Sequence, residues 1–560
     1  MTLRALAAVL LVLASGADAQ TLRPGDERPE LPEPAPTAPE AEPHLALPPL
    51  PEAQPDTLDA GLSVVVQRFD VVGSTVFGAE ALGEALAPWL GRAISSEELL
   101  AARDAVTALY HDAGYVTSGA VVPDQDVDAG VVAIQVVEGW LDEVSVRGNR
   151  RFRALYFEQR LRRAGSAPVN LARLEHALQI LQRDPWIERV DARLEPGERF
   201  GASRLVLAVE EARPWHARAA VANDHSPTIG EIGPEGSLRV ANLLGMGDVW
   251  TGRAEFTEGL RDLEAAFEVP ITPWDTRLGV RFRDTHTEIV ERPFEDLDIE
   301  ASSQTWAVSL AHPVHRGETD SLWVELIGER RESESRVFGS SFCFELTDPD
   351  CDEPTATIVR GAATWTRRTR SDVFALRSQL SVGVDALGAT LESDRSVPDG
   401  RFVAWLAQAQ WAHVLPESLR STRAVLRGDL QLADETLLSI EKFAMGGQRS
   451  VRGYRENQLV RDSGYVLSGE LRVPVWRDSL RRPLLELVPF MDFAQGWNQG
   501  DSTFREELWS AGAGLRWMPR DGVLAEVFYG AQLDEWQGPS DSLQDDGIHF
   551  RIEIDAPTVF

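Results

Sequence analysis

Many short segments of this chain alternate apolar and polar side chains, and this pattern restricts the fold more than any other feature. Two of the segments lie at 426–432 and 465–473, where every second residue is apolar or glycine. In a β-strand such alternation gives one apolar and one polar face. Strands of transmembrane barrels have this pattern because lipid covers one face and a watery lumen the other. The sequence therefore predicts a transmembrane β-barrel.

The region 213–560 is long enough for a large barrel. A spanning strand needs about 9–11 residues, so about 16 antiparallel strands fit, with short turns at one end and longer loops at the other. A soluble β-sandwich would also alternate, but the number of segments favours the barrel. Further candidate strands lie at 217–221, 250–256, 306–310, 322–326, 405–411, 511–517 and 523–529.

A glycine-rich loop at about 439–464 separates the first two segments. Its central residues are Gly446, Gly447, Val451, Arg452, Gly453 and Tyr454. The guanidinium of arginine is always charged and carries five donors. If the loop folds back into the barrel, Arg452 therefore requires a carboxylate at a fixed position. Taken alone, Arg-Gly-Tyr would be interpreted as an ordinary surface turn.

Spaced residues around this loop make the pattern specific. They are Phe443, Gly446, Gly447, Ser450, Val451, Arg452, Gly453, Tyr454, Glu456, Leu459, Asp462, Ser463, Gly464, Glu470 and Leu471. This set resembles the signature of the outer-membrane transporters of two-partner secretion, the TpsB family of the ShlB/FhaC/HecB type. That family shares a superfamily with the barrel-assembly pore.

The resemblance implies that the loop folds into the pore and that its tip arginine contacts an aspartate on a nearby barrel strand. The matching stretch contains Phe490, Asp492 and Gly496. Alternation supports the match, because Met491 falls on the apolar face of that segment and Asp492 on the polar face. Arg452 and Asp492 are therefore the predicted pair.

The N-terminal residues are predicted to direct the protein out of the cytoplasm. Residues 1–19 have a basic start, a short apolar core and a small-residue cleavage site, as secretory signal peptides do. Residues 20–62 are interpreted as a Pro/Glu-rich linker without an apolar period. Relatives often carry a helix here that plugs the pore. The prolines after Arg23 confine such a helix to about 20–30, because proline removes helical hydrogen bonds.

Two β-α-α-β-β units follow, at 63–140 and 141–212. The predicted strands are 64–71, 116–122 and 131–137, then 142–146, 187–194 and 205–210; the predicted helices are 79–90 and 95–113, then 153–164 and 171–183. Ser95 and Glu98 form a capping box. Val-Gly-Ser at 72–74 is echoed by Arg-Gly-Asn at 147–149. A tandem repeat before a barrel resembles POTRA modules, which implies a strand edge that accepts an extended client.

Composition excludes several other classes of protein. The formal net charge of −33 repels phosphates, so we expect no nucleic-acid partner. The sequence contains no P-loop and no Gly-x-Ser-x-Gly elbow, and we expect no enzyme activity, no cofactor and no metal. Cys343 and Cys351 are the two cysteines. They are predicted to form a disulfide, which suits an oxidising compartment; two free thiols are the alternative.

These features together predict a bacterial outer-membrane transporter with periplasmic POTRA modules. We expect it to secrete a partner, a large adhesin- or haemolysin-like exoprotein, in unfolded form, and to bind it through the POTRA modules and the pore. Its other expected contacts are outer-membrane lipid and, during biogenesis, the barrel-assembly machinery; the barrel is expected to be a monomer. The alternative is a factor that inserts other barrels into the membrane, and a passive porin is a third interpretation.

Overall fold

The computed structural model describes residues 31, 44–46, 63–127, 129–341, 354–391, 398, 400–500, 505–534 and 541–556. The chain divides into two compact units, one made mainly of Ala41–Pro214 and the other of Trp215–Ala241 and Asp248–Phe560. The predicted signal peptide, the segment 20–30 to which a plug helix would be confined, and both cysteines lie outside the described residues. Within the ranges given, no helix is both long and apolar enough to cross a membrane.

The first unit contains two small α/β modules. Its strands β1–β9 are His44–Ala46, Ser63–Val66, Arg68–Val72, Arg92–Ser95, Gly119–Val121, Val131–Val137, Trp140–Arg147, Ile187–Pro196 and Ala202–Glu211. Its α-helices α1–α4 are Ala79–Leu86, Ser96–Asp112, Ala154–Ala164 and Leu171–Gln182, and a 3-10 turn follows α1 at Ala87–Trp89.

The two modules share one sheet topology. In the first, β6 lies between β3, which is parallel to it, and β5, which is antiparallel. In the second, β9 lies in the same way between β7 and β8. Two helices pack on each sheet, with Tyr110 buried in the first core and Phe157 in the second. The predicted tandem repeat is therefore confirmed at the level of topology.

The turn that follows β3 in the first module recurs after β7 in the second. Gly73 and Gly148 have φ values of 87° and 84°, a region in which a side chain is strained. A Cβ atom at either position would collide with a backbone carbonyl, that of Val136 or that of Val209. The glycine in each repeat is thus required because the turn lies very close to another strand of its sheet, β6 in the first module and β9 in the second.

A glutamate two residues beyond that carbonyl binds the turn in each module. Glu138 accepts hydrogen bonds from the Thr75 N–H at 2.6 Å and the Tyr110 hydroxyl at 2.8 Å. Glu211 accepts from the N–H groups of residues 150–152 at 2.7–3.0 Å. Burial raises the pKa of Glu138, but these hydrogen bonds, first those of Thr75, outweigh it and hold the pKa below its usual value.

Several element boundaries differ from the predictions. The capping box of α2 is present, with the Ser95 side chain and Glu98 bonding each other's backbone. The predicted strand 64–71 is wrong as a single element, because the chain bends at Gln67 and the two halves join different sheets. β2 pairs with β4, which was not predicted, whereas β3 pairs with β6.

A closed antiparallel barrel forms the second unit. Sixteen strands make up its wall in the described residues, and β10 closes it against β28. They are β10–β16 (Trp215–Ala222, Gly233–Ala241, Val249–Phe256, Leu260–Pro270, Arg277–Glu288, Ile299–Arg316 and Asp320–Val337), β18–β21 (Thr355–Arg368, Asp372–Gly383, Val403–Val414 and Arg423–Ala433) and β24–β28 (Ser463–Arg477, Pro483–Trp497, Glu506–Arg520, Val523–Gln532 and Ile548–Ala556). The other strands are β17 (Ser340–Ser341), which pairs antiparallel with the end of β16, and β22 (Phe443–Met445) and β23 (Leu459–Arg461), which pair with each other. Short 3-10 turns lie at Pro227–Ile229, Glu295–Leu297, Glu417–Leu419 and Ser439–Glu441.

The two faces of the wall differ as the alternation predicts. Large apolar side chains are exposed on the outside, among them Trp250, Trp306, Leu326, Trp405, Leu426, Leu467, Met491, Trp517 and Tyr529. Polar side chains are buried on the inside, among them Glu255, Asp262, Glu329, Gln408, Gln410, Gln431, Glu470, Glu486 and Asp492. The prediction of a barrel with about sixteen strands is confirmed.

Candidate functional site

The glycine-rich loop between β21 and β24 is buried inside the barrel. Its two arms form a ribbon in which β22 pairs antiparallel with β23, and the residues between them form the tip. Nearly every residue from Phe443 to Gly464 is buried. A surface turn would expose most of these residues, so the alternative interpretation of Arg-Gly-Tyr does not apply.

Arg452 at the tip binds Asp492 on the barrel wall. Its Nε lies 2.8 Å and its Nη2 2.9 Å from the two carboxylate oxygens of Asp492. The backbone N–H of Arg452 donates to the same carboxylate at 3.0 Å. Arg452 is 5% exposed and Asp492 is fully buried. A planar guanidinium bound in this two-pronged way fixes both the position and the orientation of the tip.

Neighbouring side chains on β24 and β25 complete the binding of Arg452. Glu470 accepts from Nη1 at 2.7 Å, and Ser468 donates to Asp492 at 2.7 Å. The guanidinium carbon lies 3.8 Å from the ring centroid of Phe490. Ser468 is the register partner of Asp492, and Glu470 is that of Phe490. Two adjacent cross-strand pairs on the inner face therefore hold the arginine; we call Arg452 and these four residues the tip anchor.

Gly453 brings the backbone of the tip close to the wall. Its φ of 95° and a distance of 2.6 Å from a would-be Cβ to the Gly530 carbonyl oxygen leave no room for a side chain. The N–H of Gly453 donates to Nε2 of His549 at 2.9 Å, and Gln532 donates to the Gly453 carbonyl at 2.8 Å. The backbone of the tip is thereby bonded to β27 and β28 as well.

The other predicted loop residues form the turn and its apolar packing. Val451 and Tyr454 are fully buried in a cluster with residues of the ribbon and the wall, and the Tyr454 hydroxyl donates to the Trp509 carbonyl at 3.0 Å. Gly446 and Gly447 lie where the ribbon turns into the tip. A side chain at Gly447 would occupy the place of the Glu456 carboxylate.

Gly496 and Asp462 accommodate the base of the loop. A Cβ atom at Gly496 would meet the side chain of Met445, so this glycine leaves room for the ribbon. The carboxylate of Asp462, which is fully buried, accepts from the N–H groups of Leu437 at 3.0 Å and Gln499 at 2.9 Å. The loop is thus attached to the barrel at its base as well as at its tip.

Sequence reasoning missed several of these contacts. Glu470 was placed on the polar face of its strand but not paired with Arg452, and His549 was not singled out. Arg455 was also missed; it binds Asp545 at 2.5–2.6 Å and Glu291 at 2.8 Å. Strand parity could have indicated Glu470, because Ser468, Glu470 and Asp492 share the inner face. No local sequence pattern indicates the partners of His549 or Arg455. These partners lie about 90 or more residues away in the chain.

The chain's own loop fills part of the lumen, and its tip makes a buried charged contact with the wall, whereas a porin has a water-filled channel. Comparison with known families agrees. The profile described as POTRA domain, ShlB-type, matches residues 64–139. The profile described as Haemolysin secretion/activation protein ShlB/FhaC/HecB matches residues 201–517, which is more than half of the chain. The chain belongs to the ShlB/FhaC/HecB family.

Individual relatives are distant but extend over most of the chain. The outer membrane transporter CdiB of Dickeya dadantii is 24% identical over 467 residues, covering 80% of this chain and 79% of that protein. The heme/hemopexin transporter protein HuxB of Haemophilus influenzae is 20% identical over 486 residues, covering 81% and 80%. The solved structure of CdiB from Escherichia coli has a TM-score of 0.63 at 21% identity and covers 90% of this chain and 92% of its own.

The family and the fold together establish the general function. The protein is an outer-membrane transporter of the two-partner secretion type, with its barrel in the outer membrane and its POTRA modules in the periplasm. The family and its relatives are transporters and not enzymes.

Proposed function

We propose that this protein secretes one large adhesin- or haemolysin-like exoprotein, which enters from the periplasm unfolded and passes through the lumen when the in-folded loop moves. The POTRA modules capture the exoprotein as an extended strand and deliver it to the barrel. Backbone pairing of this kind depends little on side chains, so a long unfolded partner can be passed along in successive segments.

The observation that supports this proposal is how the loop is held. Its tip is attached to the wall by a charged pair, Arg452 with Asp492, 5% and 0% exposed. A permanent plug gains nothing from such a pair, because well-packed apolar residues of similar volume stabilise an interior as well or better. When the pair separates, water solvates both charged groups favourably. An ionic contact at the tip therefore suits a loop that leaves its site when the lumen fills with water and partner.

The sequence offers no nucleotide-binding motif to drive transport. We infer that the free energy comes from the partner, which folds once outside and cannot return. This requires that the partner be unfolded while it is in the lumen.

The test is to delete the gene in the native host, restore it, and identify proteins in the culture supernatant and on the cell surface by mass spectrometry. We expect one large protein to be lost on deletion and to return on restoration. An unchanged supernatant together with depletion of many outer-membrane barrels would instead identify an insertion factor. If neither changes, secretion by this protein is refuted.

A further inference from the structure

The connections between strands at one end of the barrel are basic. β10 follows the periplasmic modules in the chain, and antiparallel strands alternate in direction, so the connections β18–β19, β20–β21, β24–β25 and β26–β27 lie at the periplasmic end. With the residues that border them they comprise 367–372, 415–422, 477–482 and 520–522. These four segments contain eight arginines and four acidic residues, whereas the whole chain has 88 acidic and 55 basic residues.

The opposite end of the barrel has the opposite charge. Residues 338–354, between β16 and β18, and residues 533–547, between β27 and β28, each contain five acidic residues and no lysine or arginine. The average composition of the chain is also acidic, so it does not account for the basic periplasmic end. The positive charge is therefore concentrated where the barrel meets the periplasmic leaflet of the membrane.

Half of these arginines have no partner for their charge within the protein. Arg481 binds Glu417, and Arg482 binds Asp478 and Asp521, so those two arginines are neutralised by neighbouring connections. Four others are exposed, and their guanidinium groups form no hydrogen bond or ion pair within the part of the chain that the structure describes: Arg367, Arg370, Arg420 and Arg520. These four positive charges are available to an external anion.

Arg367 lies on the lipid-facing side of the wall, next to a group of aromatic rings. In β18 the buried Ile358 faces the lumen, so Arg367, an odd number of residues further on, faces outward. Trp365, on the same face, packs on Phe374 of β19 with ring centroids 5.3 Å apart, and Trp411 of β20 is the register partner of Phe374. Aromatic girdles mark the membrane interface of outer-membrane barrels. The guanidinium of Arg367 is therefore at the level of the lipid headgroups.

Two of the basic connections also expose a leucine. Leu419 precedes Arg420 and is 55% exposed, and Leu480, between β24 and β25, is 72% exposed. Trp476 and Trp517, near the ends of β24 and β26, are exposed as well and continue the aromatic girdle. Segments that lie in a membrane interface combine apolar side chains, which enter the acyl boundary, with basic ones, which stay among the headgroups. The periplasmic end of β18–β27 has this combination.

We propose that the periplasmic end of β18–β27 binds anionic phospholipids of the periplasmic leaflet. Arg367, Arg370, Arg420 and Arg520 bind the headgroup phosphates, while the exposed leucines and tryptophans contact the acyl chains. Basic residues are attracted to a negatively charged membrane surface, so phosphatidylglycerol binds here more tightly than the zwitterionic phosphatidylcholine. This inference does not depend on the identity of the secreted partner.

The experiment measures the tryptophan fluorescence of the purified full-length protein in phosphatidylcholine bilayers. Brominated phosphatidylglycerol or brominated phosphatidylcholine replaces part of the lipid, and the brominated chains quench the tryptophans that they contact. The two titrations give the relative affinity of the lipid-facing surface for the two headgroups. We expect wild type to prefer phosphatidylglycerol at least twofold, and Arg367→Gln combined with Arg420→Gln to remove at least half of this preference. No preference in wild type, or an equal one in the variant, would overturn the proposal.

The matched control removes two arginines from the other face of the wall at the same end. Arg239 shares the lumen face of β11 with the buried Ala241, and Arg423 shares that of β21 with the buried Val425. Arg239→Gln combined with Arg423→Gln changes the net charge by the same amount but should leave the lipid preference at the wild-type value. An equal loss of preference in this control would overturn the proposed location.

Two further measurements test whether charge is the cause. Arg367→Lys combined with Arg420→Lys should keep the preference, since lysine binds phosphate as a point charge, and high salt should weaken the preference of wild type by screening. Heat-modifiable migration on gels establishes that each variant is folded. If the arginines instead bind an acidic protein segment, all variants show the same lipid preference, and the proposal is overturned.

Discussion

The tip anchor allows one substitution to be worked through in detail. Arg452→Ala removes the guanidinium from two buried carboxylates, Asp492 and Glu470. Removing one member of a buried ion pair costs about 3–5 kcal/mol. Asp492 keeps a hydrogen bond from Ser468 and the backbone N–H of residue 452, and Glu470 keeps Arg472 at 2.7 Å. We therefore expect the lower end of this range, about 3 kcal/mol.

This loss should appear as release of the loop. At about 1.4 kcal/mol per factor of ten, 3 kcal/mol shifts the equilibrium between bound and released loop by about 100-fold. Hydrogen exchange measured by mass spectrometry on the purified protein should show this increase for peptides of the tip, between β22 and β23, and little change in the wall. Secretion of the partner should fall while the barrel is still inserted. Wild-type protection of the tip together with normal secretion would refute the reasoning.

Two variants serve as controls for this experiment. Arg482→Ala removes an exposed arginine that binds Asp478 and Asp521 at a turn, and ion pairs screened by solvent contribute little to stability; exchange at the tip should not change. Arg452→Lys keeps the charge but loses the two-pronged geometry and the stacking on Phe490, so it should fall between wild type and Arg452→Ala.

Three further predictions concern single contacts. Gly453→Ala should release the tip as strongly as Arg452→Ala, since strained backbone costs about 1–3 kcal/mol and the added Cβ meets Gly530; wild-type exchange in this variant would contradict the packing. His549→Phe leaves the buried N–H of Gly453 without its acceptor, at a cost of about 1–3 kcal/mol, so tip exchange should rise while His549→Gln largely restores it; equal effects of both variants would argue against the hydrogen bond. Because the pKa of Glu138 is lowered in the folded state, its contribution to stability is present above the ordinary pKa of glutamate, about 4.3, and lost as the pH falls through the folded value. Hydrogen exchange in urea should show that the first module of the wild type becomes less stable below that pH. The stability of Glu138→Gln should depend less on pH, and identical pH profiles would contradict the assignment.

The barrel could be predicted because it depends on local pattern, whereas the pairing of Arg452 with Asp492 was implied by the resemblance to the family and only supported by strand parity. Alternation of side chains decides which residues face inward, so the parity of Asp492 placed it in the lumen before any contact was known. The turn glycines of the two modules were visible as a repeat for the same reason. In each case the physical constraint acts within a few residues of the chain.

The contacts that were missed depend on distant parts of the chain. His549 is one polar residue among many on an inner face, and only closure of the barrel brings it to Gly453. Gln67 separates two strands because their partners lie in different sheets, which the sequence of 64–71 does not show. β1 lies in a proline-rich segment and becomes a strand by pairing with β8, which is far away in the chain.

The contacts of Arg452 also determine how the loop can leave its site. The attraction between two charges varies inversely with the local dielectric constant, so the tip anchor is strong only while it is dry. The first bond to open admits water, water weakens the remaining attractions, and the next bond opens more easily. If the loop leaves its site as we propose, we expect its release and return to be cooperative and switch-like, since each bond that forms again expels water from the others. We therefore expect two defined states of the lumen and no stable half-open one.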